Sequence, residues 1–513
     1  MSRNLRHNPV ARAASTRPNP SAARRSAPLD PVVCRRAHAA RDPRFDGVFF
    51  IGITSTGIYC RPVCRARLPR QENCRYFESA AAAEQAGFRP CLRCRPELAP
   101  GRALVDATGR LAALAAARIA AGGLNGRRVS ELASELCVGE RQLRRALARE
   151  YGVSPIELAQ THRLLLAKRL LTDTALPVTK VAYASGFGSV RRFNAVFAER
   201  YRMSPVALRR SSPSAGEPDA PLSLTLAYRP PFDWAALLDY FRGRATPGVE
   251  VVDGERYLRT VVLDGHRGQV AVDRPDGTTH ALRAEVSLSL VPVLMPLLAR
   301  LKAAFDLDAE PDAIVAHLAG DDVLGDLVTA RPGLRVPGGF DGFEVALRTI
   351  LGQQVSVRAA TTLAGRLAAA FGEPAETGHL GLTRYPVQAE RLAEAEPAEL
   401  IALGLTRARA ASAIALAQAV ASGELRLEPG GDVAGTVERL KTIPGIGEWT
   451  AQYIALRALR WPDAFPHTDL GLRRALGDTT PARLLAAAER WRPWRGYAAQ
   501  YLWTGPNGKG EER

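Results

Sequence analysis

The chain has 513 residues, 46% of them hydrophobic and 24% charged; that is too long for one core and too apolar for a disordered chain, so several globular domains are expected. No run of about 18 apolar residues occurs, so no membrane span is expected. The net charge of +17 is uneven: residues 1–100 hold 18 arginines against 7 acids, and residues 101–212 hold 19 basic against 8 acidic residues, which leaves the remainder net acidic. A basic first half of this strength implies nucleic acid as partner, attracted through its phosphates and sensitive to salt. Residues 1–28, rich in Arg, Ser, Ala and Pro, read as a disordered basic arm.

Four of the seven cysteines follow as Cys60-x3-Cys64, a gap of 26 residues, and Cys91-x2-Cys94. Each short pair can bite one edge of a tetrahedron while the long loop joins the pairs, so one soft divalent ion, zinc (Zn2+), is the expected cofactor. A purely structural zinc knuckle and a pair of disulfides are the plainer readings. No apolar signal-like segment precedes the cysteines, so reduced thiols and a cytoplasmic location are expected. Arg61, Arg65, Arg67, Arg89, Arg93 and Arg95 crowd the quartet. They are expected to balance its net negative charge and to hold a phosphate beside it. Cys34 and Cys74 lie outside the spacing and read as small thiols without a site.

The runs Thr56-Gly-Ile-Tyr-Cys60-Arg-Pro-Val-Cys64-Arg-Ala-Arg67 and Gly87-Phe-Arg-Pro-Cys91-Leu-Arg-Cys94 resemble the zinc domain of the Ada family of adaptive-response regulators, over roughly residues 29–100. The resemblance implies that Cys60 accepts a methyl group irreversibly from a methyl phosphotriester in DNA. It also implies Cys64, Cys91 and Cys94 as supporting ligands, and Thr56, Arg67 and Arg89 near the DNA.

Residues 101–212 contain a near-repeat. Val129-Ser-Glu-Leu-Ala133, Leu143-Arg-Arg-Ala-Leu147 and Tyr151-Gly-Val-Ser-Pro155 correspond to Val178-Thr-Lys-Val-Ala182, Phe193-Asn-Ala-Val-Phe197 and Tyr201-Arg-Met-Ser-Pro205. Each copy reads as a short helix, a turn and an amphipathic second helix. Arg141, Arg144, Arg145, Arg191 and Arg192 fall at the start of the second helices, where a recognition helix meets a major groove. Gly186-Phe-Gly-Ser-Val-Arg-Arg-Phe193 resembles the second unit of AraC-type DNA-binding domains.

Residues 213–221 read as a linker after which the chain is free to move. Strand-like alternation then runs over 222–228, 248–252, 257–263, 268–273 and 278–288, with turns at Asp253-Gly254, Asp264-Gly265 and Asp276-Gly277. From residue 291 onward nearly everything reads helical. Within that part, Ile443-Pro-Gly445-Ile-Gly447-Glu-Trp449 reads as a glycine hairpin between helices. Its backbone can approach a phosphate, and the next helix N-terminus favours the anion. Asp469 lies 22 residues after Gly447, a spacing that resembles the helix-hairpin-helix base-excision glycosylases.

The likeness extends over 222–503, through Arg331-Pro-Gly-Leu-Arg335, Ile350-Leu-Gly-Gln-Gln354-Val-Ser356 and Trp491-Arg-Pro-Trp494-Arg-Gly-Tyr497, and is nearest to the AlkA-type 3-methyladenine glycosylases. It implies Asp469 as the catalytic carboxylate and Trp449, Tyr453 and Trp503 as the base pocket. Trp449 stands where bifunctional relatives carry a Schiff-base lysine, so no strand-cleaving lyase is expected. Gln354 stands where the family inserts an apolar wedge into the base stack. The P-C-H-R run with which full Ada proteins repair guanine is absent from the sequence, so no methyl transfer from the guanine oxygen is expected.

The expected architecture is therefore multidomain α+β. A small zinc-bound α/β domain (29–100) and an all-α double helix-turn-helix domain (101–212) precede an antiparallel β subdomain (222–295) and an all-α helix-hairpin-helix bundle (296–513). The expected partners are double-stranded DNA, both alkylated and promoter DNA, and RNA polymerase, with no membrane. The expected function is an alkylation-damage regulator fused to a glycosylase that hydrolyses the bond to 3-methyladenine and 7-methylguanine. A zinc-dependent regulator with a non-catalytic damage-binding module is the alternative.

Overall fold

The computed structural model describes residues 29–100, 110–211, 221–275, 280–429 and 432–505. The basic arm, most of the linker and the Asp276-Gly277 turn lie outside them. In the first domain α1 (Pro31–Ala40) starts where the Asp30 side chain accepts from the Val32 amide, with proline in the first turn, a combination that satisfies an orphan donor and presets φ. Strands β1 (Phe50–Ile53), β2 (Ile58–Cys60), β3 (Cys74–Phe77) and β4 (Arg89–Pro90) form one sheet in the order β3-β1-β2-β4. All its pairs are antiparallel except β2 with β4. Helix α2 (Ala80–Gln85), capped by Ser79, packs against all four strands.

The next domain contains α3 (Arg110–Ala120), α4 (Val129–Glu135), α5 (Glu140–Tyr151), α6 (Pro155–Asp173), α7 (Val178–Ala184), α8 (Val190–Tyr201) and α9 (Pro205–Arg210). The two expected helix pairs are α4–α5 and α7–α8. Sequence reasoning passed over α6, the 19-residue helix that joins them, because it is buried on nearly every face and shows little amphipathic period. Phe193 and Phe197 are fully buried, and cutting either to alanine is expected to cost about 3–5 kcal/mol. The two units meet at Gly186, whose φ is +81° and where a Cβ would lie 2.4 Å from the Asn125 side chain. Only glycine meets both conditions.

Beyond the linker, β5 (Leu222–Ala227) leads into α10 (Trp234–Arg244), then β6 (Glu250–Asp253), β7 (Arg256–Leu263), β8 (His266–Asp273) and β9 (Ala281–Val286). The antiparallel sheet runs β5-β9-β8-β7-β6. Helix α10 falls in the gap between the first two expected strands, 229–247, to which the sequence reading assigns no element; Asp233 caps it through the Ala236 amide and it buries Trp234, Leu237, Leu238 and Phe241. Asp264 and Gly265, both at positive φ, make the tight hairpin between β7 and β8.

The bundle follows as α11 (Leu294–Ala304), α12 (Pro311–Leu318), α13 (Gly325–Ala330), α14 (Gly342–Leu351), α15 (Val357–Phe371), α16 (Ala389–Ala393) and α17 (Pro397–Ala402). It continues as α18 (Arg407–Ala421), α19 (Val433–Thr442), α20 (Glu448–Arg457), α21 (Leu470–Ala475), α22 (Pro481–Ala488) and α23 (Arg495–Thr504). Buried Arg259 on β7 reaches Glu344 on α14 at 2.8 Å and ties sheet to bundle.

The halves on either side of the linker share one core, which corrects the expectation of free movement. Leu170, Phe193 and Phe197 belong to the same buried cluster as Leu222, Leu290 and Met295. Arg169 on α6 also donates to the Thr225 carbonyl at 2.6 Å.

Candidate functional site

Parallel pairing of Ile58 with Arg89 and Tyr59 with Pro90 sets Cys60 at the end of β2 beside Cys91 just after β4. The Cys91 amide donates to the Tyr59 carbonyl at 3.0 Å, and the Cys64 amide closes a turn onto the Arg61 carbonyl at 3.1 Å. The Sγ atoms of Cys60, Cys64, Cys91 and Cys94 consequently all lie within 4.8 Å of one another. A tetrahedral zinc–thiolate centre places its sulfurs about 3.8 Å apart, so the quartet fits the ion. The Arg61 amide donates to the Cys94 sulfur at 3.4 Å and the Cys94 amide to the Cys91 sulfur at 3.5 Å, contacts that favour thiolates. All seven cysteines are unpaired. Cys60 is 3% exposed, and of the four only Cys94 is half-buried rather than buried.

The six arginines around the quartet divide into two groups. Arg61 is consumed by buried Asp46, and Arg95 by Glu97 at 3.0 Å and Asp173 at 2.5 Å, so neither stands ready for a phosphate. Arg65, Arg67 and Arg93 are exposed and Arg89 is half-buried on β4. Among the described residues none of these four makes an ion pair. Thr56 is exposed in the β1–β2 turn, its hydroxyl donating to the Ile53 carbonyl at 3.3 Å.

Buried polar contacts dock this centre on the helical domain. Lys168 of α6 donates to the carbonyl of Cys91 at 3.3 Å and to Glu97 at 2.6 Å. Tyr59, which precedes Cys60, donates to Glu84 at 3.0 Å, and the other Glu84 oxygen accepts from Thr161 of α6 at 3.0 Å. Burial pushes the Glu84 carboxyl up to about 7, against the opposing pull of Arg200 and these hydrogen bonds. In the two helix pairs, Arg141, Arg144 and Arg145 at the start of α5, and Arg191 and Arg192 at the start of α8, all point into solvent. Arg144 pairs with Glu140 at 2.6 Å.

In the bundle, α19, the segment 443–447 and α20 form the expected hairpin. Gly445 has φ +84°, and a Cβ there would meet the Ser412 hydroxyl at 2.3 Å; Gly447 has ordinary φ and open space around it. One turn apart at the start of α20, Trp449 and Tyr453 stack with centroids 5.4 Å apart, and Tyr453 meets Trp503 of α23 edge-on at 6.0 Å. The half-buried Asp469 caps α21, its Oδ1 accepting from the Leu472 amide at 2.9 Å and from the Trp503 indole at 3.0 Å. Its Oδ2 accepts from the Trp449 indole at 2.8 Å. The four expected residues thus converge, with three N–H donors orienting one carboxylate beside an aromatic wall. Gln354 is exposed at the tip between α14 and α15 in the left-handed region, φ +54°.

Three neighbours were not legible in the sequence. Gln353 donates to the Gly445 carbonyl at 2.8 Å and to Thr450 at 3.0 Å, fastening the Gln354 tip to the hairpin. Tyr240 of α10 meets the Tyr453 hydroxyl at 3.3 Å, so the β subdomain supplies part of the aromatic cluster. Arg457 lies beneath the rings. The Arg331–Arg335 run is structural, because Arg335 is 1% exposed and donates to the carbonyls of Arg229 and Pro231.

Four family models match: the metal binding domain of Ada over residues 33–97, a helix-turn-helix domain over 132–211, the AlkA N-terminal domain over 223–341, and the HhH-GPD superfamily base excision DNA repair protein over 347–483. The "DNA-3-methyladenine glycosylase 2" of Escherichia coli is 39% identical over 279 residues, 54% of this chain and 96% of that protein. The "Bifunctional transcriptional activator/DNA repair enzyme Ada" of Escherichia coli is 53% identical over 60 residues, 12% of this chain and 17% of that protein. A "Probable bifunctional transcriptional activator/DNA repair enzyme AlkA" of Mycobacterium tuberculosis is 40% identical over 480 residues, 92% of this chain and 95% of that protein. With the metal-binding domain matched and the four sulfurs converging, zinc is the cofactor. No described helix is long and apolar enough to cross a membrane. From its zinc centre to its hairpin, this chain belongs to the family of bifunctional Ada/AlkA proteins that join a transcriptional regulator to a DNA glycosylase.

Proposed function

We propose that Asp469 drives hydrolysis of the bond between deoxyribose and alkylated purines such as 3-methyladenine and 7-methylguanine. The observation that carries this reading is the carboxylate held by the Trp449 and Trp503 indoles at 2.8 and 3.0 Å. A cationic alkylated base leaves as a neutral molecule, taking the electron pair of the glycosidic bond, so it needs little general acid help. What needs stabilising is the cationic sugar and the water that adds to it, which a fixed carboxylate does by charge and orientation. Trp449, Tyr453 and Trp503 receive the flipped base. With Trp449 in place of a lysine, the reaction is monofunctional hydrolysis.

In the first domain Cys60 is proposed to take the methyl group of a DNA methyl phosphotriester. Bound zinc keeps such a thiolate deprotonated and nucleophilic at neutral pH. Its lone pair forms the new S–C bond, the O–C bond breaks, and the electron pair stays on the phosphate oxygen as a phosphodiester. The cluster loses one negative charge, and repulsion from DNA falls. Thr56, Arg67 and Arg89 contact the phosphates there; Arg141, Arg144, Arg145, Arg191 and Arg192 contact promoter DNA, and RNA polymerase is the partner of the activated form. Since Cys60 is 3% exposed and Cys94 half-buried, exposure by itself favours Cys94 as acceptor, the one competing reading.

Incubating the full chain with randomly methylated DNA and analysing both peptides and free bases tests the whole assignment. One methyl group on the Cys60 peptide and released methylpurines are expected. A methyl on Cys94 would reassign the acceptor, and a wild-type chain that releases no base would leave only a damage-binding module.

A further inference from the structure

The zinc domain is docked on both helix-turn-helix units. Thr161, Lys168 and Thr172 recur along one side of α6 at helical spacing, and each is bonded to it. Thr161 donates to Glu84 at 3.0 Å, Lys168 to Glu97 at 2.6 Å and to the Cys91 carbonyl at 3.3 Å, and the Thr172 hydroxyl accepts from Arg95 at 3.4 Å. At the end of α5 the Tyr151 carbonyl accepts from Ser79 at 2.9 Å. In the last turn of α8, Arg200 lies 3.9 Å from Glu84. Strand β4, which leads directly into Cys91, packs against α8. The side chains of Glu84, Lys168 and Glu97 are 0, 1 and 2% exposed.

Ions buried in this way add little net stability, and apolar side chains of similar volume would hold two domains together as well or better. What they add is a single allowed geometry, because a dock that slips leaves a bare charge in the interior. The four-thiolate centre is therefore carried at one fixed place beside α8, while Arg191 and Arg192 stay exposed at the other end of that helix. Arg89, proposed as a phosphate contact, lies on the same β4 that touches α8. A duplex held by α8 thus runs past the strand that leads to the zinc ligands.

The fixed place matters because the signal is small. Methyl transfer to Cys60 removes one negative charge, and at physiological salt a single charge is felt over about 8 Å. A centre on a loose tether would take the same methyl group and leave promoter affinity almost unchanged, since it would spend most of its time beyond that range. A docked centre stays beside the phosphates whenever α8 does, so the whole change in repulsion enters the binding free energy. We propose that Lys168 is a positioning residue of the methyl-dependent switch: through Glu97 and the Cys91 carbonyl it holds the zinc centre against the duplex that α8 reads, and so converts the charge lost at Cys60 into promoter affinity.

The inference rests on the reading of Cys60 as methyl acceptor, and the experiment separates the two. It uses the full zinc-loaded chain and a duplex enriched from a random-sequence pool by the methylated wild type. Affinity for that duplex is measured at one fixed salt concentration, before and after Cys60 is methylated by a second duplex carrying one methyl phosphotriester. Methylation is expected to tighten wild type about tenfold. Lys168→Met keeps bulk and removes the charge; it is expected to take up the methyl group at the wild-type rate and to tighten by no more than about twofold. Lys168→Arg is expected to restore most of the gain. Zinc content and thermal melting follow the fold of each variant, and a residue that merely stabilised the fold would weaken both states alike and leave the ratio unmoved. Where Lys168→Met loses zinc, the double variant Glu84→Gln with Arg200→Gln, which touches no ligand, replaces it under the same criterion. A wild-type chain that takes no methyl group overturns the reading of Cys60 and the inference with it. A wild-type chain that tightens, beside a variant that tightens as much, overturns the role of Lys168 alone.

Discussion

At the zinc centre four thiolates come from two short sequence pairs, brought together by two residues of parallel pairing between β2 and β4. At the bundle centre a single carboxylate is held by indoles that lie 20 residues before it and 34 after it. Both arrangements aim N–H donors at an anion, backbone amides in the first and one backbone amide with two indoles in the second. They differ in what holds the surroundings. The zinc site has little core of its own, with Cys60, Cys64 and Cys91 forming a small separate buried cluster, so the ion must supply much of the domain's folding energy. Asp469 sits on the rim of a core that reaches from Ala309 to Leu502 and needs no ion. A metal centre is built by spacing, and a carboxylate centre by a whole fold.

The strongest way to break this comparison is to remove the ion. Structural zinc contributes on the order of 10–16 kcal/mol, comparable to or larger than the stability of a whole small domain. Chelation or Cys64→Ala is expected to expose residues 29–100 to proteolysis while base release continues at an unchanged rate. Loss of base release in the chelated chain would show that the second centre depends on the first.

Asp469→Asn gives the next largest effect. The variant keeps the shape but loses the charge facing the sugar cation, and its new amide donors meet the donors of Trp449 or Trp503. Release of 7-methylguanine is expected to fall by on the order of a hundredfold or more in kcat, with zinc content and melting of the first domain unmoved. Full release by the purified variant would remove Asp469 from the chemistry.

The two centres also differ in how legible they were. The cysteine quartet could be read from spacing, because ligand chemistry restricts both residue type and separation. The helix pairs could be read from their amphipathic period and the hairpin from Gly445 and Gly447. Long-range partners gave no such signal. Nothing local marks Asp46 as the acid that takes Arg61, nor Tyr240 as a member of a cluster more than 200 residues away in sequence. Helix α10 lies between two stretches read as strands, where no element was assigned, and α6 was hidden by its own burial. Arg457 could not be found at all, since a buried arginine on a helix reads like an exposed one until the rings around it are known.

Trp449→Phe sharpens the carboxylate side of the comparison at a smaller scale. It keeps a ring against Tyr453 and deletes only the indole donor to Oδ2. A hydrogen bond to a charged group is worth about 1.5–3 kcal/mol, so kcat is expected to fall by roughly ten- to a hundredfold, with KM nearly constant. A change confined to KM would assign Trp449 to base binding and leave the orientation of Asp469 to Trp503.

The smallest effect concerns the hairpin, where two glycines in the same motif are expected to behave differently. Gly445 has φ +84°, and a Cβ there meets Ser412 at 2.3 Å, so Gly445→Ala strains the backbone and pushes on the residue that hydrogen-bonds the Pro444 carbonyl. Its loss of DNA binding is therefore expected to come with a lower melting temperature, and cannot by itself report a phosphate contact. Gly447 has φ −91° and nothing within 4 Å of its Cβ position. Alanine fits the fold there, and the added methyl projects into the space a DNA backbone must occupy if the amides at the start of α20 hold a phosphate. Gly447→Ala is expected to melt like wild type and to weaken binding of duplex DNA by a few-fold, about 1 kcal/mol, with kcat on bound substrate unchanged. Equal affinity in wild type and Gly447→Ala, measured at one fixed salt concentration, would move the phosphate contact away from the hairpin and leave Gly445 with a folding role alone.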